Sequence, residues 1–176
     1  AISVLSIAGV HGAFRAAGDA NEIGSPGTTG KLFISEVAPW GSGATSYVAD
    51  WFELTNAGAR PVDITGWKID DGSNLFASAT TLEGITSIAP GESVIFMETA
   101  TPGDLAAKAA LFLNSWFGAS PPAGLQIGSY SGGGLGLSTG GDAVNIFNAS
   151  GTLVTGVAFG TATTNVSFDN HAAIGG

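Results

Sequence analysis

Between Asp50 and Asn56 the chain reads Asp-Trp-Phe-Glu-Leu-Thr-Asn, so Phe52 and Leu54 alternate with Trp51, Glu53 and Thr55. Successive side chains of an extended backbone point to opposite faces, which makes this run an amphipathic strand. Asn56-Ala57-Gly58 supplies turn residues, and Pro61-Val62-Asp63-Ile64-Thr65-Gly66-Trp67-Lys68-Ile69 returns as a second strand. A hairpin is the expected result. The same period of two places strands near 2–8, 12–16, 31–38, 48–56, 61–69, 92–98, 142–148, 152–159 and 165–169, with shorter candidates at 125–128 and 134–138. Asp70-Asp71-Gly72-Ser73, Ala89-Pro90-Gly91 and Asn148-Ala149-Ser150-Gly151 separate them with residues that tolerate tight turns. Many short strands with regular turns make the chain all-β, a sandwich or a barrel.

One segment breaks that period. Thr101-Pro102-Gly103-Asp104 offers a hydroxyl cap, a proline at the first helical position and an acid in the first turn. Leu105, Ala109, Phe112, Leu113 and Trp116 then recur on one helical face, and Gly118 with Pro121-Pro122 ends the run. Residues 102–117 are expected to form one short amphipathic helix over an open end of the sandwich. The glycine-rich stretch from Ser129 to Gly141 is not a phosphate loop of the Walker type, since no lysine follows Gly132-Gly133-Gly134.

Three further stretches accompany the Trp51 strand and Gly66-Trp67. They are Ile34-Ser35-Glu36-Val37, Ile88-Ala89-Pro90-Gly91-Glu92-Ser93-Val94-Ile95-Phe96, and the hairpin Asp142–Phe147 with Gly151–Gly160, preceded by Leu135–Gly141. Together they resemble the lamin tail domain in its bacterial extracellular form, over about residues 31–170. The resemblance implies an immunoglobulin-like β-sandwich with no catalytic chemistry of its own, with Trp67 in a core-like position. Lamin tail domains accompany secreted nucleases, phosphatases and esterases, so it also implies a second role, a non-catalytic module contacting a cell-wall polymer or carbohydrate.

Asn21-Glu22-Ile23-Gly24-Ser25-Pro26-Gly27 looks like the closing phrase of such a domain, placed before the domain begins. Ahead of it lies an uncharged, β-branched run, Ile2 to Val10, followed by Phe14. The chain therefore divides into an amino-terminal strand segment, 1–30, and a sandwich, 31–176. Three arrangements satisfy this order: the segment completes its own sandwich, it completes the next subunit's, or the chain is one unit of a tandem array. Burying Ile2, Val4, Leu5, Ile7, Val10 and Phe14 at ~1.5–3 kcal/mol each is offset by ordering about a dozen residues at ~1–2 kcal/mol apiece. Backbone hydrogen bonds along an open strand edge must then decide the outcome. The preferred expectation is donation to a neighbour, with those six residues as the donor strand and Val157, Phe159, Val166 and Phe168 lining the acceptor groove. Head-to-tail contacts that do not close build filaments, so the expected partner is another copy of this chain.

Composition narrows the rest. Only 11% of the 176 residues are charged and 28 are glycine, which leaves an exterior largely of hydroxyl and amide. That fits an extracellular subunit lying against other protein. A net charge of −9, with bases scattered at Arg15, Lys31, Arg60, Lys68 and Lys108, disfavours nucleic acid and anionic membranes. No apolar run reaches the ~18 residues of a membrane span, and cysteine is absent. The chain starts at Ala1, which suits a processed or excised polypeptide.

Candidate chemistry is thin. His11 and His171 lie in the end segments without a triad-like neighbourhood. Glu36 and Glu53 could pair as catalytic carboxylates, but the plainer reading is strand carboxylates meeting Lys31, Arg60 or Lys68 at the sheet surface. Asp70 and Asp71 are the best metal candidates, in a short acidic loop that a type I turn explains without an ion. Of the four tryptophans, Trp40 and Trp51 are the expected exposed platforms for a ligand. Asn148 and Asn165 head sequons. The expectation is a secreted, non-enzymatic, cofactor-free structural subunit.

Overall fold

The computed structural model describes residues 32–133 and 135–170. The expected strands at 2–8 and 12–16, the donor residues Ile2, Val4, Leu5, Ile7, Val10 and Phe14, both histidines, Arg15 and Lys31 lie outside them. In chain order the strands are β1 (Leu32–Ala38), β2 (Trp51–Asn56), β3 (Val62–Asp63), β4 (Lys68–Asp70), β5 (Thr80–Thr81), β6 (Ser87–Ile88), β7 (Ser93–Thr99), β8 (Ile127–Ser131), β9 (Asp142–Phe147), β10 (Leu153–Phe159) and β11 (Phe168–Asp169). A four-residue turn of helix, α1 (Gly41–Ala44), follows β1, and α2 (Leu105–Phe117) follows β7.

Two principal sheets result. One has the order β11-β1-β2-β7-β8 and the other β10-β9-β4-β5, with β3-β6 as a separate pair. Neighbours are antiparallel except β7 and β8, which run parallel because α2 lies between them in the chain. The alternation read in the sequence explains the core between the sheets. Ile34, Phe52, Leu54, Val94 and Phe96 point inward from the first sheet to meet Ile69, Val144 and Ile146 from the second, all of them fully buried. Leu135 and Leu137 complete this core from a segment without strand pairing, where a short strand at 134–138 was expected. The architecture is the expected immunoglobulin-like β-sandwich.

The opposite parity of β2 and β7 sends Trp51, Ile95 and Met97 to the outer face of the first sheet, and this face is buried too. The helix α2 covers it. Phe112 is its fully buried anchor, with Leu105, Ala109, Leu113, Trp116 and Phe117 packed around it. The helix therefore lies on the sheet's outer face, not over an open end of the sandwich as expected. Its start follows the sequence signal: Pro102–Asp104 forms a 3-10 turn in which the Asp104 carboxylate accepts from the Thr101 amide (3.0 Å) and hydroxyl (3.1 Å). Gly118, at φ +58°, ends it by donating to the Asn114 carbonyl.

The expected strand at 61–69 splits into β3 and β4, which belong to different sheets. Gly66, at φ +72°, makes the turn between them. The two lateral flanks of the sandwich differ. Beside β5 and β8, Glu83 and Ser129 exchange backbone hydrogen bonds of 2.8 and 2.9 Å that tie one sheet to the other. On the other flank β1 and β10 pack across the core, and no backbone pairing joins β10 to the first sheet among the described residues.

Candidate functional site

That second flank gathers most of the expected acceptor residues. β10 is seven residues long and, among the described residues, pairs with β9 alone. Beside it the expected 165–169 strand shrinks to the two residues of β11, pairing with β1 only at Glu36 and Val37. Phe159 on β10 and Phe168 on β11 meet with ring centroids 5.1 Å apart, and Val157 is half-buried against the core. Val166 sits apart from this group. It is 49% exposed, in a turn rather than a strand, and its carbonyl accepts from the Trp40 indole.

The indoles expected as exposed platforms are buried. Trp51 has no exposure at all because α2 lies over it, with Phe112 and Trp116 edge-on at 5.4 Å. Trp40 keeps 4% and lines the mouth of a cleft. Its ring nitrogen donates to the Val166 carbonyl at 2.8 Å.

Glu36 and Glu53 stand directly opposite each other on β1 and β2, and Asp169 stands opposite Glu36 on β11. Both glutamates are buried, which corrects the expectation of surface carboxylates. Ser35 donates to Glu53 at 2.5 Å, and Ser167 donates to Glu36. Asp70 is buried as well. Its two oxygens accept from the Ser73 hydroxyl (2.6 Å), the Leu75 amide (2.7 Å) and the Ser78 hydroxyl (3.1 Å), while Asp71 caps the Ser73 amide at 2.8 Å. Protein donors thus account for this acidic loop as a hydrogen-bonded turn.

A second carboxylate neighbourhood was missed from the sequence because its members are far apart in the chain. Burial pushes the Asp50 and Glu98 carboxyls above their ordinary values, and the charge of Asp50 raises Glu98 further, while Lys108 opposes both. Asp50 still accepts from the Ser42 amide at 2.8 Å, and Lys108 donates to the Val48 carbonyl. These contacts hold the segment from α1 to β2 against α2.

The cleft has a volume of about 390 Å³ and opens where that segment meets α2 and the turn before β11. Trp40, Tyr47 and Trp116 form its aromatic wall. Ser46, Ser115 and Asn165 form its polar rim.

Among protein families, the lamin tail domain model matches residues 25–161. Among solved structures, a DUF4876 family protein from Bacteroides thetaiotaomicron is similar, at 16% identity and a TM-score of 0.41 over 68% of this chain and 42% of that one. The chain thus spans less than half of that protein's length. No curated protein matches.

Proposed function

The chain belongs to the lamin tail domain family, and from that premise we propose that it is a non-enzymatic structural subunit of an extracellular filament or tandem fibre. The amino-terminal strand of one copy, with Ile2, Val4, Leu5 and Ile7 as anchors, enters the sheet edge of the next. One observation carries this reading: a seven-residue edge strand, β10, stands beside a two-residue β11 on a flank where the sheets are not tied together among the described residues. An edge of that length is a template for another strand, and natural sandwiches seldom leave one unmanaged. The low charge of the chain is consistent with subunits that lie against one another outside the cell.

Because the chain has no cysteine, the reading can be tested covalently. Ile7→Cys and Val157→Cys are combined in one chain and oxidised. Donation between copies gives a ladder of disulfide-linked multimers on a non-reducing gel. Deletion of residues 1–16 removes polymers from negative-stain images and size-exclusion profiles. A crosslinked species confined to single chains, or an unchanged monomer with and without residues 1–16, refutes the proposal.

A further inference from the structure

The cleft beside α2 is unlike the open flank in its chemistry, and nothing in it depends on strand exchange. Among the described residues, three aromatic side chains wall it, hydroxyls and one amide rim it, and no charged side chain lines it. Its volume of about 390 Å³ lies within the ~300–1,000 Å³ of small-molecule sites.

The hydrogen-bonding capacity of the wall is already assigned. The Trp40 indole donates to the Val166 carbonyl, and the Trp116 indole donates to the Tyr47 hydroxyl at 3.2 Å. Trp40 is buried and closes the wall, so the half-buried Trp116 ring is the apolar face left for a ligand. The Tyr47 oxygen also accepts from the Trp51 indole at 3.3 Å and hydrogen-bonds the Thr45 side chain, so this buried phenol is committed to the protein. Ser46 and Ser115 hydrogen-bond each other at 3.2 Å across the opening and Ser115 donates to the Leu111 carbonyl at 2.8 Å, which leaves both exposed oxygens with lone pairs to accept from a ligand's hydroxyls.

The backbone around the cleft is held in strained conformations. Three non-glycine residues have positive φ among the described residues, and two flank this site: Val48 at +45° and Asn165 at +66°. A β-branched residue in that region is an outlier that persists only where its surroundings impose it. Here they do. The Val48 amide donates to the Thr45 hydroxyl at 3.1 Å, that hydroxyl donates to the Gly41 carbonyl at 2.7 Å, and Lys108 holds the Val48 carbonyl. The result is a wall fixed before any ligand arrives, which lowers the ordering cost of binding.

We propose that this cleft binds one ring of a neutral saccharide, stacked on the half-buried Trp116 and hydrogen-bonded by Ser46, Ser115 and Asn165. A pyranose presents an apolar C–H face to aromatic rings and hydroxyls around its edge, which matches a wall-and-rim division of this kind. Among the described residues a phosphate or a uronate finds no cation in the cleft, and it meets a chain of net charge −9.

Calorimetric titration of the full chain with cellotetraose, chitotetraose, maltotetraose and mannotetraose tests this, with tetragalacturonate as the anionic control. At least one neutral oligomer is expected to bind with Kd on the order of 1 mM or tighter, as roughly twelve atoms of one ring allow at ordinary ligand efficiency. Asn165→Gly keeps the positive φ and removes the amide, and is expected to weaken binding about three- to tenfold. Ser46→Trp fills the opening from an exposed position and is expected to abolish it. Near-UV circular dichroism identifies folded variants; should Ser46→Trp fail to fold, Asn165→Gly decides alone. No saturable heat with any neutral oligomer, equal affinity in the folded variants, or preference for tetragalacturonate overturns the proposal.

Discussion

Phe112→Ala is the sharpest test of how α2 is attached. The side chain is fully buried between helix and sheet, and its ring lies 5.4 Å from those of Tyr47 and Trp51, 6.0 Å from Trp116 and 6.4 Å from Phe117. Truncating a buried phenylalanine costs ~3–5 kcal/mol, from lost transfer free energy and the residual cavity. Four aromatic neighbours, which contribute ~0.5–1.5 kcal/mol per favourable pair beyond area, put this site in the upper half of that range, about 4 kcal/mol. Its neighbour Leu111 is 43% exposed on the other side of the helix, so Leu111→Ala is expected within ~0.5 kcal/mol of the parent. Urea unfolding followed by tryptophan fluorescence and by far-UV circular dichroism gives both values, with Trp51 and Trp116 reporting directly on the interface. If Phe112→Ala costs under about 1 kcal/mol, or no more than Leu111→Ala, α2 is not docked on this face and the outer-core argument fails.

Tyr130→Phe should stabilise the chain by about 1 kcal/mol in urea melts, because its buried hydroxyl has no hydrogen-bond partner among the described residues and such a group costs ~1–3 kcal/mol; a loss of stability would contradict this. Gly41→Ala drives a methyl group into the Ala49 carbonyl, so a drop of about 2 kcal/mol is expected, and a neutral result would mean that the α1 turn yields easily. Asp50 and Glu98 have folded carboxyls raised by burial, so their contribution to stability is fully present below their ordinary values of 3.8 and 4.5 and is lost as pH rises through the folded values. Denaturation midpoints measured upward from pH 3 should therefore fall less for Asp50→Asn, which keeps an acceptor for the Ser42 amide, than for the parent; parallel pH profiles would refute the assignment.

The sandwich was legible because β2, β7, β9 and β10 carry period-two patterns bounded by turn residues, and α2 because its cap, proline and apolar face coincide within one run. Trp51 shows where such reading stops. Its parity opposite Phe52 and Leu54 is correct, but alternation says only that two faces differ. It carries no information about whether the second face is wet, and here a distant helix dries it. The same limit applies to Glu36 and Glu53, which sit on that second face and are buried for all their charge. The cleft was half visible: Trp40 was singled out, but Tyr47, Ser115 and Asn165 reach it from three separate parts of the chain, and only the tertiary packing of α2 joins them. The split at Gly66 had left a trace that the single 61–69 strand passed over, for Val62 and Ile64 share one parity and Trp67 and Ile69 the other, a slip of one residue at the turn.

The reciprocal hydrogen bonds between Glu83 and Ser129 give the molecule a spine, like the binding of a book whose covers are the two sheets. Gly128 belongs to that spine, for a side chain there would strike the Phe96 ring at 2.7 Å and leave the binding no room to close. Any parting of the covers must then be greatest along the far margin, at β10 and β11. Amide exchange is accordingly expected to be slow at Glu83 and Ser129 and faster toward Phe159 and Phe168 in chains lacking residues 1–16.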